Sequence, residues 1–413
     1  MPNEELLLPL IQPFRALRPA PGRAAEILAP PYDVLSSAEA RERAKGKPWS
    51  FLHVSKPEID LDPGIDPYDA AVYAKAAENL KKMVAAGILV RDANPRYYVY
   101  RLTRRGRTQT GLAHVASVAA YDSGRIKKHE LTTPAKEDDR VRQIEAVNAQ
   151  TGPVMLAYRG APEIDSILSK IVGTEPDIDV TADDGVRHES WIVSDASTVR
   201  LLTDAFDTLP ALYIADGHHR AAAASRIAKA RGGKGSAAYF LAVAFPHHQM
   251  TILDYNRVLK DLNGRTPDAL LAALGKNFAV TRSSTAVRPD GPDIFGFLIG
   301  GKWYRLAIRS DLIPYDDAVG RLAISLLSKY ALEPLFGIKN QRTDKRIDFV
   351  GGGRGLEELE RRTASGEMAA AFSLFPTSME DLMAVADAGE IMPPKSTWFE
   401  PKLADGVVSH VLD

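Results

Sequence analysis

Cysteine is absent from the 413 residues of this chain. Disulfide bonds, thiolate nucleophiles, cysteine-rich zinc sites and cysteinyl iron–sulfur clusters are therefore excluded. The sequence also lacks any run of about 18 consecutive apolar residues, which is the length that a membrane-spanning helix requires. Its N-terminal stretch, MPNEELLLPLIQPFRALRP, has only a short apolar run broken by Pro9, so we expect no secretory signal peptide. Together these absences predict a cytoplasmic protein.

The sequence shows no excess of charge of either sign. Its 52 lysine and arginine residues face 53 aspartate and glutamate residues, which gives a formal net charge of -1. Proteins that bind nucleic acid or anionic membranes usually carry a strong basic excess, so we expect neither of these partners. With 45% hydrophobic residues, a chain of this length can form two or three domains that each have a core.

Hydrophobic periodicity predicts an α+β protein with mixed sheets. Ser36 or Ser37 is the expected N-cap of an early helix, and the stretch PYDAAVYAKAAENLKKMVAAGILV is typical of an amphipathic helix that ends at Gly87. The predicted apolar face of that helix consists of Ala71, Ala74, Ala77, Leu80 and Val84. Three regions are predicted, an N-terminal region, a core and a C-terminal region, over residues 1–110, 111–260 and 261–413.

The stretch LYIADGHHRAAAASRIAKARGG predicts a strand, a tight turn and a helix, with Asp216 placed to cap the helix. His218, His219 and Arg220 then lie at the helix N-terminus, where the backbone is already electropositive. Unpaired backbone N–H groups at such a turn form a natural anion site, and the added side-chain donors favour a phosphate as the ligand.

Two other interpretations of this turn stay open. In the first, Asp216 is only a cap and the histidines pack against their neighbours. In the second, the histidines bind zinc, but adjacent histidines on a helix point about 100° apart and cannot grip one ion together. A second histidine pair, His247 and His248, could complete such a zinc site.

A highly charged segment, RIKKHELTTPAKEDDR, precedes this turn in the sequence. Thr133 followed by Pro134 is typical of a helix start, and the helix is predicted to run to about Asn148. Lys136 and Arg140 are four residues apart, so they share a helix face and could project toward phosphates. The alternative is an ordinary surface helix in which the charges of the KEDDR run pair with one another.

The ADGHHR motif resembles the signature turn of the ParB/sulfiredoxin-like superfamily, in the form found in its free-serine-kinase branch. Where sulfiredoxins carry a cysteine, this chain has His218. Over nearly its whole length the chain also resembles a group of long bacterial proteins of uncharacterised function, which share the motifs PPYDVL, KKHE, KEDDR, ADGHHR, DYNR and MPPKSTWFEPKL. The resemblance implies a mixed-sheet ParB/sulfiredoxin-like core with additional N-terminal and C-terminal α/β regions.

The kinase hypothesis assigns roles to individual residues, of which only the role of Glu130 is implied by the resemblance. Glu130 would be the general base, since the serine hydroxyl must lose its proton as a phosphoryl group is transferred. Asp216 would bind Mg²⁺ or assist the base, and His129 would contact the substrate. The phosphates of the donor, which is ATP, ADP or pyrophosphate, would be held by Gly217, His218, His219, Arg220, Lys136 and Arg140.

Two further motifs are candidates for contacts with the substrate. PPYDVL places Tyr32 and Asp33 after two stiff prolines, and this loop could equally be a rigid structural turn. MPPKSTWFEPKL offers a second set of polar side chains but lacks the glycines of a P-loop, so a structural role is equally favoured. The polar residues of the second motif are Lys395, Ser396, Thr397 and Lys402.

The sequence thus predicts a small-molecule kinase that phosphorylates free L-serine or a similar hydroxy amino acid. One alternative is a regulatory protein that binds a nucleotide or phosphometabolite without turnover, and another is a phosphate-ester hydrolase. The donor, the acceptor, the role of the C-terminal region and the formation of a homodimer stay open. The kinase mechanism requires Glu130 and Asp216 to lie close together.

Overall fold

The computed structural model describes residues 9–413. The short apolar run on which the expectation of no signal peptide depends falls mostly outside the described residues. The chain divides into two compact units, which are Met1–Met250 together with Pro401–Asp413, and Thr251–Glu400. Within residues 9–413, every helix is too short or too polar to cross a membrane.

The chain alternates short strands with helices. In chain order the strands are β1 (Ile11–Gln12), β2 (Ala16–Pro19), β3 (Leu89–Arg91), β4 (Tyr97–Arg104), β5 (Arg107–Ser117), β6 (Ile126–Lys127), β7 (Ala149–Gln150), β8 (Val154–Tyr158), β9 (Ile178–Thr181), β10 (Arg187–Val193), β11 (Leu212–Asp216), β12 (Tyr239–Pro246), β13 (Thr251–Leu253), β14 (Tyr255–Leu259), β15 (Phe278–Ser283), β16 (Ile294–Ile299), β17 (Lys302–Ile308), β18 (Ile347–Gly351), β19 (Ala370–Leu374), β20 (Trp398–Glu400) and β21 (Ser409–Val411). The α-helices are α1 (Ala24–Ile27), α2 (Ser37–Ala44), α3 (Leu52–Ser55), α4 (Ala70–Ala85), α5 (Val118–Asp122), α6 (Pro134–Val147), α7 (Pro162–Ile171), α8 (Ala196–Asp207), α9 (His218–Ala230), α10 (Pro267–Leu274), α11 (Ala323–Leu327), α12 (Glu333–Phe336), α13 (Glu357–Ala364) and α14 (Met379–Asp387).

The main sheet of the first unit has the strand order β6-β11-β8-β12-β5-β4-β10-β9, and β1 pairs with β5. Two pairs, β6 with β11 and β8 with β12, are parallel, and the other pairs are antiparallel. β8 and β12 are buried along their whole length, as their uninterrupted apolar sequences indicate. The predicted α+β fold with mixed sheets is therefore confirmed.

The end of the chain returns to the first unit. There β21 lies between β2 and β7 in a small sheet of order β3-β2-β21-β7. His410 is opposite both Ala16 and Gln150 in this sheet. The last residues of the chain thus share a sheet with residues near its beginning, and the segment just before β21 also contributes to the site described below.

The second unit contains an antiparallel sheet of order β15-β17-β16-β19-β14-β18 and a separate pair, β13 with β20. The hairpin between β16 and β17 turns at Gly300 and Gly301, whose φ angles are +56° and +69°. Such angles are those of a two-residue type I′ turn, which matches the twist of the strands and favours glycine. The stretch DIFGFLIGGKWYRLAIR, with glycines between two apolar runs, predicts such a hairpin, and this prediction is confirmed.

Local signals locate several helices well. The Ser36 side chain accepts the Glu39 N–H in a reciprocal capping box, which confirms Ser36 as the N-cap of α2. α6 begins at Pro134 and ends before Asn148, as predicted. Of the predicted apolar face of α4 only Leu80 is buried, and the observed buried face consists of Val72, Tyr73, Ala76, Leu80 and Met83. Larger apolar side chains drive this choice of face, and alanines such as Ala71 and Ala74 stay exposed.

The two compact units do not correspond to the three predicted regions, because the first unit combines two separate segments of the chain. The predicted boundary at 110/111 falls inside β5, and the boundary at 260/261 follows β14 within the second unit. The division of the sequence into 1–110, 111–260 and 261–413 stays a prediction beside this two-unit description.

Candidate active site

The ADGHHR motif forms the turn between β11 and α9. Gly217 lies between them with a φ of +97°, in the left-handed region that favours glycine. A Cβ atom on Gly217 would lie 3.0 Å from Arg220 Nε and 3.3 Å from the Cα atom of Val154. Both the backbone angle and the close approach of β8 therefore require glycine at this position.

Asp216 does not cap α9, so that prediction was wrong. The N-cap residue is Gly217, and no side chain caps the helix. Asp216 is the last residue of β11. Its side chain belongs to a cluster of ion pairs. Its Oδ2 atom lies 3.1 Å from Arg220 Nη2 and 3.5 Å from Lys402 Nζ. Because Asp216 is not a cap, its carboxylate is not committed to the helix backbone.

The Asp216 carboxylate is strongly held in its ionised form. Burial raises its pKa, but the positive charges of Lys402 and Arg220 outweigh burial and hold the pKa well below its usual range. Asp216 is therefore an anion at neutral pH, and 29% of its side chain is exposed.

The KHE segment and the ADGHHR turn meet because β6 and β11 run parallel, with Ile126 opposite Leu212. The segments that follow two parallel strands leave the sheet at the same edge, which is where ligands bind in many open α/β sheets. Glu130 Oε2 lies 3.8 Å from His218 Nδ1. The rings of His129 and His218 meet edge to face, with their centroids 4.5 Å apart. The segments that carry Glu130 and Asp216 thus both adjoin His218.

His129 and His218 are buried, with 2% and 4% of their surface exposed. Burial lowers the pKa of His129 to about 4. The backbone carbonyl of Ile214 opposes this lowering without reaching hydrogen-bond geometry. Burial lowers the pKa of His218 well below its usual value. Both rings are therefore neutral at pH 7.

His219 is half-buried, and its Nε2 atom accepts the Thr133 N–H at 3.1 Å. Burial, followed by the charge of Lys136, lowers its pKa to about 4. In the neutral ring the other nitrogen, Nδ1, then carries the proton and is the donor. The two imidazoles thus add hydrogen-bonding groups to the N-terminus of α9, but no positive charge.

Arg220 is the cation at the start of α9, and only 9% of it is exposed. Its guanidinium donates to the carbonyl of Pro153 and to Asp216, and it lies 3.7 Å from Asp33 Oδ2. Burial lowers its pKa, but Asp33 and Asp216 more than offset this, so the net shift is upward. Arg220 therefore joins the turn to the residue that precedes β8 and to the PPYDVL loop.

The PPYDVL loop forms a short 3₁₀ turn, Tyr32–Val34, whose tyrosine stacks against α6. Arg140 Cζ lies 3.8 Å from the centroid of the Tyr32 ring, and burial raises the pKa of Tyr32 to about 12. Arg140 also donates to Asp139 at 2.8 and 2.6 Å. Lys136, on the same helix, is exposed. Arg140 and Lys136 thus have different surroundings although they are four residues apart.

A small cavity of about 30 Å³ lies beside this cluster. It is lined by Tyr32, Ser55, Arg140, Gln143, Ile144, Gln150, Thr151, Gly152, Val154, Arg220, Phe240, Leu241 and Asp405. Asp405 is 2% exposed, and its Oδ1 atom has no hydrogen-bond partner among residues 9–413. Burial raises the pKa of Asp405 to about 7 although Arg220 opposes this shift. The sequence gives no signal for Asp405, because neither a motif nor periodicity marks it.

The MPPKSTWFEPKL motif is divided between the two units. Lys402 belongs to the first unit and pairs with Asp216. Lys395, Ser396 and Thr397 belong to the second unit, where the Ser396 hydroxyl donates to the Pro393 carbonyl at 2.6 Å.

His247 and His248 adjoin each other, with ring centroids 5.6 Å apart. His247 Nδ1 accepts the Gly160 N–H at 3.1 Å, so one of its ring nitrogens binds the backbone.

Several solved structures are similar to this chain over most of its length. A free serine kinase in complex with AMP is 14% identical, with a TM-score of 0.34, and the match covers 69% of this chain and 86% of the kinase chain. SbnI from Staphylococcus aureus, with a C-terminal truncation, is 13% identical with a TM-score of 0.39, over 72% and 86% of the two chains. A conserved hypothetical protein from Pyrococcus furiosus is 16% identical with a TM-score of 0.34, over 71% and 93%. At these TM-scores the likenesses say nothing about the activity of this chain.

No curated protein matches this chain. The family of proteins of unknown function called DUF1015 matches residues 11–328. This match agrees with the expected membership in a family of long uncharacterised proteins, whereas the free-serine-kinase branch stays a prediction. Since the match covers most of the sequence, the chain belongs to the DUF1015 family.

Proposed function

We propose that this protein is a phosphotransferase that moves a phosphoryl group from ATP, ADP or pyrophosphate to the hydroxyl of free L-serine or a similar hydroxy amino acid. The observation that carries the proposal is the position of Glu130, whose carboxylate lies 3.8 Å from His218 in the first turn of α9. A carboxylate is thereby held beside a helix N-terminus, the part of a fold best suited to binding phosphate.

In this proposal Glu130 is the general base. The attacking hydroxyl must lose its proton as its oxygen bonds to phosphorus, and a carboxylate within hydrogen-bond reach accepts that proton. Glu130 suits this role because 39% of its side chain is exposed, so a small acceptor can reach it. The buried His129 and His218 form the neutral wall against which Glu130 lies.

The donor phosphates would bind at the first turn of α9. This turn begins at Gly217 without a side-chain cap, so its first N–H groups suit a phosphate oxygen. His219 would donate from Nδ1, and the exposed Lys136 would supply charge. Arg140 and Arg220 are committed to carboxylates, so we assign them the secondary role of holding the turn and the PPYDVL loop in place.

Asp216 fits the expected Mg²⁺ site. It is ionised and partly exposed, it is not a helix cap, and both of its ion pairs use the same oxygen, Oδ2. Mg²⁺ is commonly held by one or two carboxylates together with substrate phosphates, and it neutralises the charge that develops on them. Asp216 would hold the ion, while Arg220 and Lys402 keep its carboxylate oriented.

Phosphorus NMR tests the proposal directly. The purified protein is incubated with Mg²⁺, L-serine and each of ATP, ADP and pyrophosphate in turn. We expect one donor to yield a phosphoserine signal. Accumulation of inorganic phosphate with serine unchanged would replace the kinase by a phosphate-ester hydrolase. Donor binding without turnover would favour a regulatory protein.

The proposal also includes a homodimer. Measurement of the molecular mass in the same buffer tests it.

A further inference from the structure

We infer that His129, Glu130 and His218 form a binding site for a transition-metal ion such as Zn²⁺. Each of these side chains offers a ligand atom, and the three atoms all lie within 4.8 Å of one another. Among residues 9–413, no other group of three or more histidine and carboxylate side chains meets this criterion.

The surroundings of His129 point to a ligand independently of this spacing. The ring is buried, and neither of its nitrogens has a hydrogen-bond partner within the described part of the chain. A buried polar nitrogen without a partner costs free energy, and such groups in native proteins usually have a specific explanation. Coordination of a metal ion would give one of the two His129 nitrogens a partner.

The three side chains need only small movements to bind one ion. Tetrahedral zinc, with bonds of about 2.1 Å, holds its ligand atoms about 3.4 Å apart. His218 Nδ1 and Glu130 Oε2 already lie 3.8 Å apart. Coordination through Nδ1 places the proton of the His218 ring on Nε2, which now faces the His129 N–H at 3.5 Å. That contact is at the outer limit of a hydrogen bond, and the bonds to the ion must offset its loss.

The ligand set selects the class of ion. Two imidazoles and one carboxylate suit Zn²⁺ and Co²⁺, whereas Mg²⁺ and Ca²⁺ prefer oxygen ligands. Three protein ligands leave a fourth position for water or a substrate atom. The partial exposure of Glu130 gives solvent a route to that position.

This inference goes beyond the proposed function and stands without it. A carboxylate whose lone pairs are engaged by an ion is a poor proton acceptor. If both proposals are correct, Zn²⁺ should therefore inhibit phosphoryl transfer, because the ion and the departing proton compete for Glu130.

Visible absorption of Co²⁺ tests the site, because its d–d bands intensify when nitrogen and oxygen ligands of low coordination number replace water. Untagged protein is freed of metal with a chelator, dialysed, and titrated with Co²⁺ and then with Zn²⁺. We expect one Co²⁺ to bind per chain, with displacement by Zn²⁺ but not by excess Mg²⁺. Glu130→Gln and His129→Gln should each weaken binding about tenfold or more, as the loss of a ligand requires.

His248→Gln is the matched control, because it removes an exposed histidine outside the cluster and should leave binding unchanged. Circular dichroism shows whether each variant is folded. If the buried His129 variant does not fold, the partly exposed Glu130 variant decides alone. No Co²⁺ binding by the wild type, or undiminished binding by Glu130→Gln, would overturn the inference. The titration needs no phosphoryl transfer, so either proposal can fail without the other.

Discussion

At the scale of single residues, Asp405 makes the stability of the protein depend on pH. Burial is the main cause that raises its pKa from the ordinary value of 3.8 to about 7. Between these values the folded state holds more protons than the unfolded state, so the free energy of unfolding falls as pH rises toward 7. Asp405→Asn keeps the shape of the side chain and cannot titrate, so it should remove this part of the pH dependence.

Urea denaturation of both proteins at pH 5 and pH 8 measures this effect. From pH 5 to pH 8 we expect the free energy of unfolding to fall by roughly 2 kcal/mol more in the wild type than in Asp405→Asn. Other titrating groups contribute equally to the pH dependence of both proteins, so their contributions cancel when the two proteins are compared. Equal pH dependence of the two proteins would show that Asp405 is not neutral at pH 5 in the folded state.

Gly217 is the second residue whose environment allows a quantitative prediction. Gly217→Ala adds a Cβ at a positive φ and within 3.0 Å of Arg220 Nε, so it should lower the free energy of unfolding by about 2 to 4 kcal/mol. Gly185→Ala is the matched control, since Gly185 has a φ of +78° with no atom within 4 Å of the added Cβ. Gly185→Ala should lower the free energy of unfolding by about 1 to 2 kcal/mol. Equal losses in chemical denaturation would show that the turn does not pack tightly against β8 and Arg220.

At the scale of elements, two predicted caps differ in what their side chains do. The Ser36 side chain binds the backbone of α2, whereas Thr133 at the start of α6 makes no side-chain cap bond. Ser36→Ala should therefore destabilise the protein by about 1 kcal/mol, and Thr133→Ala by less than about 0.5 kcal/mol. Thermal unfolding of the two variants compares them directly. A larger loss for Thr133→Ala would contradict the capping geometry.

The sequence predicts those elements whose signals are local. The Pro134 start of α6, the Ser36 cap and the Gly300–Gly301 hairpin each depend on a few neighbouring residues, and all three are confirmed. Asp216 was predicted as a cap because cap preference was considered without the strand that contains it. Capping requires a residue that has already left the strand, and Gly217 occupies that position.

The candidate site could be predicted only in part for a related reason. The two histidine-containing motifs stand out in the sequence, but their meeting depends on the parallel pairing of β6 with β11. Such pairing joins segments far apart in the chain and leaves no local pattern. Asp405 and the stacking of Arg140 on Tyr32 were likewise beyond prediction, because each depends on contacts between distant segments.

At the scale of the whole molecule, the first unit depends on the end of the chain. β21 pairs with both β2 and β7, Asn148 donates to the Leu412 carbonyl, and Lys402 pairs with Asp216. A chain that ends at Glu400 should therefore lose the inner strand of that small sheet. We expect a clearly lower melting temperature for the first unit in calorimetry.

The variant Lys402→Ala separates these contributions. It keeps β21 and removes the side chain that pairs with Asp216, so its melting temperature should stay clearly above that of the shortened chain. If the shortened chain melted like the intact protein, β21 would not be needed to complete the sheet. If Lys402→Ala melted like the shortened chain, the ion pair rather than the strand would stabilise the unit.

The measurement that tests the central claim most directly compares phosphoryl transfer with donor binding in Glu130→Gln. Glu78→Gln is the control, because it makes the same chemical change at an exposed position on α4. The account predicts that Glu130→Gln loses phosphoserine formation by about 100-fold or more while calorimetry shows donor affinity close to that of the wild type. Glu78→Gln should match the wild type in both assays. Transfer that survives in Glu130→Gln would contradict the account, because the proton of the acceptor would then have to leave by another group.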